Sequence, residues 1–155
     1  MIHKKYLQRP SLTLLISMIC ASVSTVSESG VSDTLTLRDL FTLEYAANPV
    51  VMPGGKHVVY ERRSMDIMTD SVRRNLWMTS LDGSQQIPLL SDSDNHFSPI
   101  FSADGTKMAY LSTKEGKVQI YSKDLATGYT ARVTDVAMTP NNMSYSPDGK
   151  QIAFS

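Results

Sequence analysis

The feature that most constrains this chain is a glycine-terminated turn that recurs along it. "YSPDGKQIAF" at 145–154 has a sibling in "FSADGTKMAY" at 101–110 and a more divergent one in "VMPGGKHVVY" at 51–60. Each copy runs from an apolar residue through a turn closing on Gly55, Gly105 or Gly149 into an apolar stretch. An aromatic residue, Tyr60, Tyr110 or Phe154, ends that stretch. In the last copy Pro147 fixes φ near the value that a type I turn needs at its first central position. Asp148 can bond to the backbone ahead of it, and Gly149 can take the left-handed conformation that returns the chain as a bulged hairpin. Ala103 replaces the proline in the middle copy, and Gly54 replaces the aspartate in the first.

Two further registers repeat with the turn. "NLWMTSLDG" (75–83) matches "VQIYSKDLATG" (118–128), with Leu81 over Leu125, and "QIPLLSD" (86–92) matches "TARVTDV" (130–136). Trp77 to Tyr121, Leu89 to Val133 and Gly105 to Gly149 are each 44 residues, whereas Gly55 to Gly105 is 50. The excess falls in "ERRSMDIMTDSVRRN", because Tyr60 to Trp77 is 17 residues and Tyr110 to Tyr121 is 11. An elongated loop between the second and third strands of the first unit is expected there. Loops of unusual length in repeat proteins often contact a substrate or another domain. The paired arginines at 62–63 and 73–74, with Asp66 and Asp70, read otherwise as a solvated face.

Each unit reads as four strands, placed in the second unit at about His96–Ser102, Lys107–Ser112, Gln119–Asp124 and Thr130–Thr134. Four strands per unit, a period in the forties and Asp-Gly hairpins define an all-β chain, a partial β-propeller of about two and a half blades. A β-sandwich with coincidental repeats is the alternative, and the agreement of three registers on one period argues against it. Blade 1 is expected at about 49–92, blade 2 at about 93–136 and the start of blade 3 at about 137–155. The third unit ends before its third strand, so the sequence reads as cut within a blade. Residues 28–48 form a lead-in with a short helix from about Leu37 to Tyr45. Thr36 and Asp39 make a capping-box pattern at its start, and Pro49 lies beyond its end.

Residues 1–27 have the parts of a secretory signal peptide: basic Lys4, Lys5 and Arg9, an uncharged apolar run from Ser11 to Val23, and small residues at Ala21, Ser22, Ser24 and Ser27. The run is short for a bilayer span. Cleavage after Ser22-Val23-Ser24 and after Cys20-Ala21-Ser22 are both compatible with the sequence. Cys20 is the only cysteine, and Ile19 before it argues against lipidation. Removing the leader leaves no cysteine for a disulfide or thiolate metal site, and 12 basic against 15 acidic residues. Nothing in that balance suggests nucleic acid, and a periplasmic or secreted location is expected.

A search for chemistry finds no G-x-S-x-G, G-x-G-x-x-G, P-loop or H-E-x-x-H, so the sequence offers no catalytic, cofactor-binding or metal residue. His57 follows the first turn, and His96 lies in the loop entering the second unit; each reads as a surface or packing residue. The acidic run "SDSDNH" (91–96) lacks the spacing of an EF-hand loop and reads as a solvated connection between units. Met65, Met68, Met138 and Met143 are placed in loops without a binding role.

The words around these repeats are specific. "LTLRDLFTLEYAANPVVMPGGKHVVYERRSMDIMTDSVRRNLWMTSLDG", with the helix words "LRDLF" and "EYA" and then "SMDIMTD" and "NLW", resembles the start of the propeller in exported bacterial members of the prolyl oligopeptidase family. Its nearest branch is the one described as acylaminoacyl-peptidase or dipeptidyl-peptidase-like. The resemblance covers about Leu35 to Ser155, and it departs at "VMPGGK", where the family shows a Ser-Pro-Asp-Gly-type turn. It implies a seven- or eight-bladed propeller over a C-terminal α/β-hydrolase domain. That domain carries the Ser, Asp and His of the triad, is absent from this chain, and would be the propeller's partner. It also implies that the propeller screens access of peptide substrates. No position here matches a catalytic residue. The competing function is a TolB-type exported protein-binding propeller without catalytic activity, which uses similar hairpins.

Overall fold

The computed structural model describes residues 35–155. The leader expected at 1–27 lies outside the described residues. The chain runs α1 (Leu37–Thr42), β1 (Glu44–Val51), β2 (His57–Asp66), β3 (Ser71–Ser80), β4 (Gln86–Leu90), β5 (His96–Phe101), β6 (Lys107–Ser112), β7 (Gln119–Asp124), β8 (Thr130–Arg132), β9 (Ser144–Tyr145) and β10 (Ile152–Ala153). A single 3-10 turn at Lys114–Gly116 joins β6 to β7. Strands β1 to β4 make one antiparallel meander, β5 to β8 a second, and β9 with β10 a hairpin. Each four-stranded sheet pairs its strands in sequence order, as a propeller blade does. The architecture is a partial β-propeller of two blades and the opening of a third.

The turn that repeats in the sequence repeats in the structure. Gly55, Gly105 and Gly149 all have positive φ, at 66°, 70° and 66°. Their amides donate to the carbonyls of Met52, Ser102 and Ser146. In the second and third copies the turn is closed twice more. Ser102 Oγ donates to Asp104 Oδ1 at 2.6 Å and accepts from Lys107 N at 3.0 Å. Ser146 Oγ does the same with Asp148 Oδ1 and Gln151 N, at 2.6 and 3.0 Å. The first copy lacks both side chains, with Met52 and Gly54 in those places, and a second positive φ at Gly54 takes up the turn.

Packing runs between sheets. Val59 and Leu76 of the first sheet are fully buried against Met108, Tyr110 and Tyr121 of the second. On its other face the second sheet buries Ala109, Leu111 and Ile120, covered by Met143, Tyr145 and Ile152 of the third unit. Alternation along β2 and β6 explains this division, since neighbouring side chains on a strand point to opposite faces. The aromatic pairs seen in the sequence are cross-strand partners: Tyr60 faces Trp77 and Tyr110 faces Tyr121.

Three expectations require correction. The helix ends at Thr42, and Tyr45 belongs to β1, so the first sheet begins at Glu44. The Thr36–Asp39 capping box does form. Pro49 does not stop a helix; it sits in a bulge of β1, where a missing N–H costs no ladder bond. The elongated loop is no loop. Its residues lengthen β2 and β3 into a hairpin of two ten-residue strands paired down to Asp66 and Ser71, which places Met65 in a strand.

Candidate functional site

The first strands of successive units lie together, with β5 touching β1 on one side and β9 on the other. All three share one irregularity. Ala47 pairs with Glu61 and Val50 with Val59, so Asn48 and Pro49 together oppose the single Tyr60, one residue in excess. Phe97 pairs with Leu111 and Ile100 with Ala109, leaving Ser98 and Pro99. Asn141 exchanges both backbone bonds with Ser155, and Ser144 pairs with Ala153, leaving Asn142 and Met143. The first residue of each bulge has positive φ: Asn48 49°, Ser98 52° and Asn142 49°. Each lies seven residues before its turn glycine. The bulge is therefore a part of the repeat, and it re-aims the backbone in the first strand of each unit.

The joint between the first two sheets holds a buried carboxylate. Glu61 is fully buried. Its Oε1 accepts from Asn48 Nδ2 at 2.9 Å and from the backbone N–H of Ser98 at 3.0 Å. Its Oε2 accepts from Arg63 Nε and Nη2, at 2.9 and 2.6 Å. Burial alone would push this carboxyl up. The bonds from Asn48, Ser98 and Arg63 outweigh it and hold the group below its ordinary value. One side chain thus ties both bulges together across the joint.

His96 is a second buried polar group there, as the first residue of β5 and not a loop residue. Its Nε2 lies 2.6 Å from Asp92 Oδ1, and its ring meets Tyr110 edge-on at 5.6 Å. Its Nδ1 has no partner. Burial pushes the Tyr110 hydroxyl up to about 12, so it stays protonated across the physiological range. The acidic run at 91–96 accordingly serves the sheet. Asp92 accepts from His96 and from the Asp94 amide, and Asn95 Oδ1 accepts from Arg74 N at 2.8 Å. No group of three or more His, Cys, Asp or Glu among the described residues is placed to hold a metal.

Three of the four arginines that read as a solvated face are used between strands and sheets, while Arg73 reaches only the Ser93 carbonyl, at 3.4 Å. Arg62 pairs with Glu44 and stacks 4.4 Å over Trp77. Arg63 holds Glu61, and Arg74 lies 5.0 Å over the Phe97 ring of the second sheet. His57 opens β2 and has no bond to another of these groups. Among these described residues the one side-chain partner of a histidine is Asp92, against His96.

No protein-family model matches the chain. It is 26% identical over 147 residues to a dipeptidyl-peptidase 5 of Porphyromonas gingivalis, covering 91% of this chain and 22% of that protein. It is 33% identical over 81 residues to a Tol-Pal system protein TolB of Francisella tularensis, covering 52% of this chain and 19% of the relative. Of solved structures, an acylaminoacyl peptidase complexed with a chloromethyl ketone matches with a TM-score of 0.60 at 16% identity, over 74% of this chain and 18% of that one. The β-propeller domain of the Trilobed protease of Pyrococcus furiosus matches with 0.58 at 18%, over 72% and 33%. These likenesses show the fold: the stacked sheets are propeller blades. The sequence relatives narrow the class, and the chain is a propeller segment related to the prolyl oligopeptidase family of peptidases. It spans about a fifth of the length of the curated peptidases it matches.

Proposed function

We propose that the chain is the propeller portion of an exported serine peptidase and gates the access of short peptides to an α/β-hydrolase domain encoded beyond it. The observation that carries this reading is the extent of the match. The dipeptidyl-peptidase relative aligns over 91% of the chain, whereas the TolB relative aligns over 52%. In this reading the joints between blades are functional, because the spacing of their inner edges sets the size of the opening. Glu61 fixes one such spacing by holding Asn48 and Ser98 at once. Chemistry would occur in the other domain, by a serine nucleophile and an acyl-enzyme. Export rests on the leader-like residues 1–27. Among the described residues, no helix is long and apolar enough to cross a membrane.

The second reading, an exported TolB-type binding propeller without catalysis, is supported by the 33% identity to TolB. The coding sequence after Ser155 separates the two. The peptidase reading expects further repeats and then a G-x-S-x-G. A frame that closes after the last blade without that motif favours the binder.

A further inference from the structure

The internal repeat supplies a template for a site at the second joint. At the first joint, Glu61 places a carboxylate oxygen against the N–H of Ser98, the first bulge residue of the next blade. The counterpart of Glu61 one unit on is Leu111, and the counterpart of Ser98 is Asn142. Leu111 is buried and offers no acceptor. Accordingly, Asn142 N–H has no acceptor among the described residues. A cavity of about 280 Å³ occupies this place, lined by Ser98, Ile100, Leu111, Asn141, Asn142 and Met143. What is filled by the protein's own oxygen at one joint is open at the next.

The chemistry of the walls selects an occupant. Glu61 is neutralised by Arg63, but the counterpart of Arg63 is Thr113. A carboxylate in the second joint would lack its cation, and an uncompensated charge beside Leu111 and Ile100 is disfavoured. A neutral carbonyl has the same acceptor geometry without that cost. Asn141 Nδ2 and Asn142 Nδ2 are already committed to Thr139 O and Ser155 Oγ. Their amide oxygens remain as acceptors, suited to a peptide N–H. Leu111, Ile100 and Met143 form an apolar wall.

We propose that this cavity binds a neutral peptide group, its carbonyl oxygen on Asn142 N–H and an adjoining apolar side chain against Leu111. This site does not depend on the peptidase reading, since a binding propeller would use it equally.

The test is a titration of the ¹⁵N-labelled full chain with N-acetyl-leucinamide, followed at the amides of Asn142 and Ser98, with sodium acetate as the charged comparison. The expected result is a saturable downfield shift at Asn142, no shift at Ser98, and no saturable shift with acetate. Leu111→Glu copies the first joint, so its own carboxylate should shift the Asn142 amide and abolish the response to N-acetyl-leucinamide. If that variant does not fold, Thr113→Arg decides: acetate should then produce the saturable shift it lacked. No saturable response of Asn142 to N-acetyl-leucinamide overturns the site. An equal response to acetate in the natural sequence, or an acetate response that Thr113→Arg leaves unchanged, overturns the assignment of a neutral ligand.

Discussion

Glu61 is where a single side chain has most influence on the arrangement of the blades. Removing it as Glu61→Ala strands the amide of Ser98 and the guanidinium of Arg63, and should destabilise the fold by about 3 kcal/mol in chemical denaturation, within the range for breaking a buried ion pair. Glu61→Gln keeps an acceptor for Ser98 and should cost less. The pH dependence has a definite sign. The folded carboxyl titrates below its ordinary value of 4.5. Its stabilisation is complete above that value and is lost as pH falls through the lower, folded pKa. Asp82 adds to the same window, because its bonds to Ser80 and Ser84 hold it at about 2 against an ordinary 3.8. Stability measured from pH 6 down to 2 should therefore fall on the acid side of about pH 4, and Glu61→Gln should fall less steeply. None of this was legible at Glu61 itself. In "VYERRS" nothing sets it apart from the charges beside it, and only the strand register turns it towards Ser98, 37 residues away.

At the level of the element, the turn was the most readable part of the sequence, because Ser-x-Asp-Gly encodes its own hydrogen bonds. Its glycines nevertheless differ in what surrounds them. A Cβ on Gly105 would lie 3.1 Å from Pro53 Cβ of the preceding turn, while one on Gly55 meets nothing within 4 Å. Both substitutions to alanine carry the cost of a left-handed backbone, roughly 1 kcal/mol. Gly105→Ala should cost measurably more than Gly55→Ala in thermal unfolding, and equal losses would show that successive turns do not press together. The β2–β3 hairpin is hard to read in the sequence because its strands carry Arg62, Arg63, Asp66, Arg73 and Arg74, and such a charged stretch resembles a loop. Its pairing is carried by the backbone register and by Arg62 lying over Trp77, neither of which has a periodic signature. Hydrogen exchange should show slow amides across 61–66 and 71–76 as a group, with fast exchange confined to 67–70. Fast exchange throughout would restore the loop.

For the whole molecule, blades packed face to face make stability depend on residues from two sheets at once. Leu76 is fully buried with Met108 and Tyr110 across the first joint. Leu76→Ala should cost about 2–5 kcal/mol, with unfolding of both sheets in one transition. The blade count and strand order followed from the period, whereas the joints did not, since they depend on which strand edges converge. The functional account rests on one claim, that these blades serve a serine peptidase whose chemistry lies elsewhere in the polypeptide. The direct measurement is labelling with a fluorophosphonate probe, together with turnover of acyl-peptide and dipeptidyl substrates, on the product of the whole gene and on the 155-residue chain. The account predicts that the whole product labels and turns over, and that the 155-residue chain does neither. Labelling or turnover by the 155-residue chain, or a whole product that takes up no probe, would contradict it.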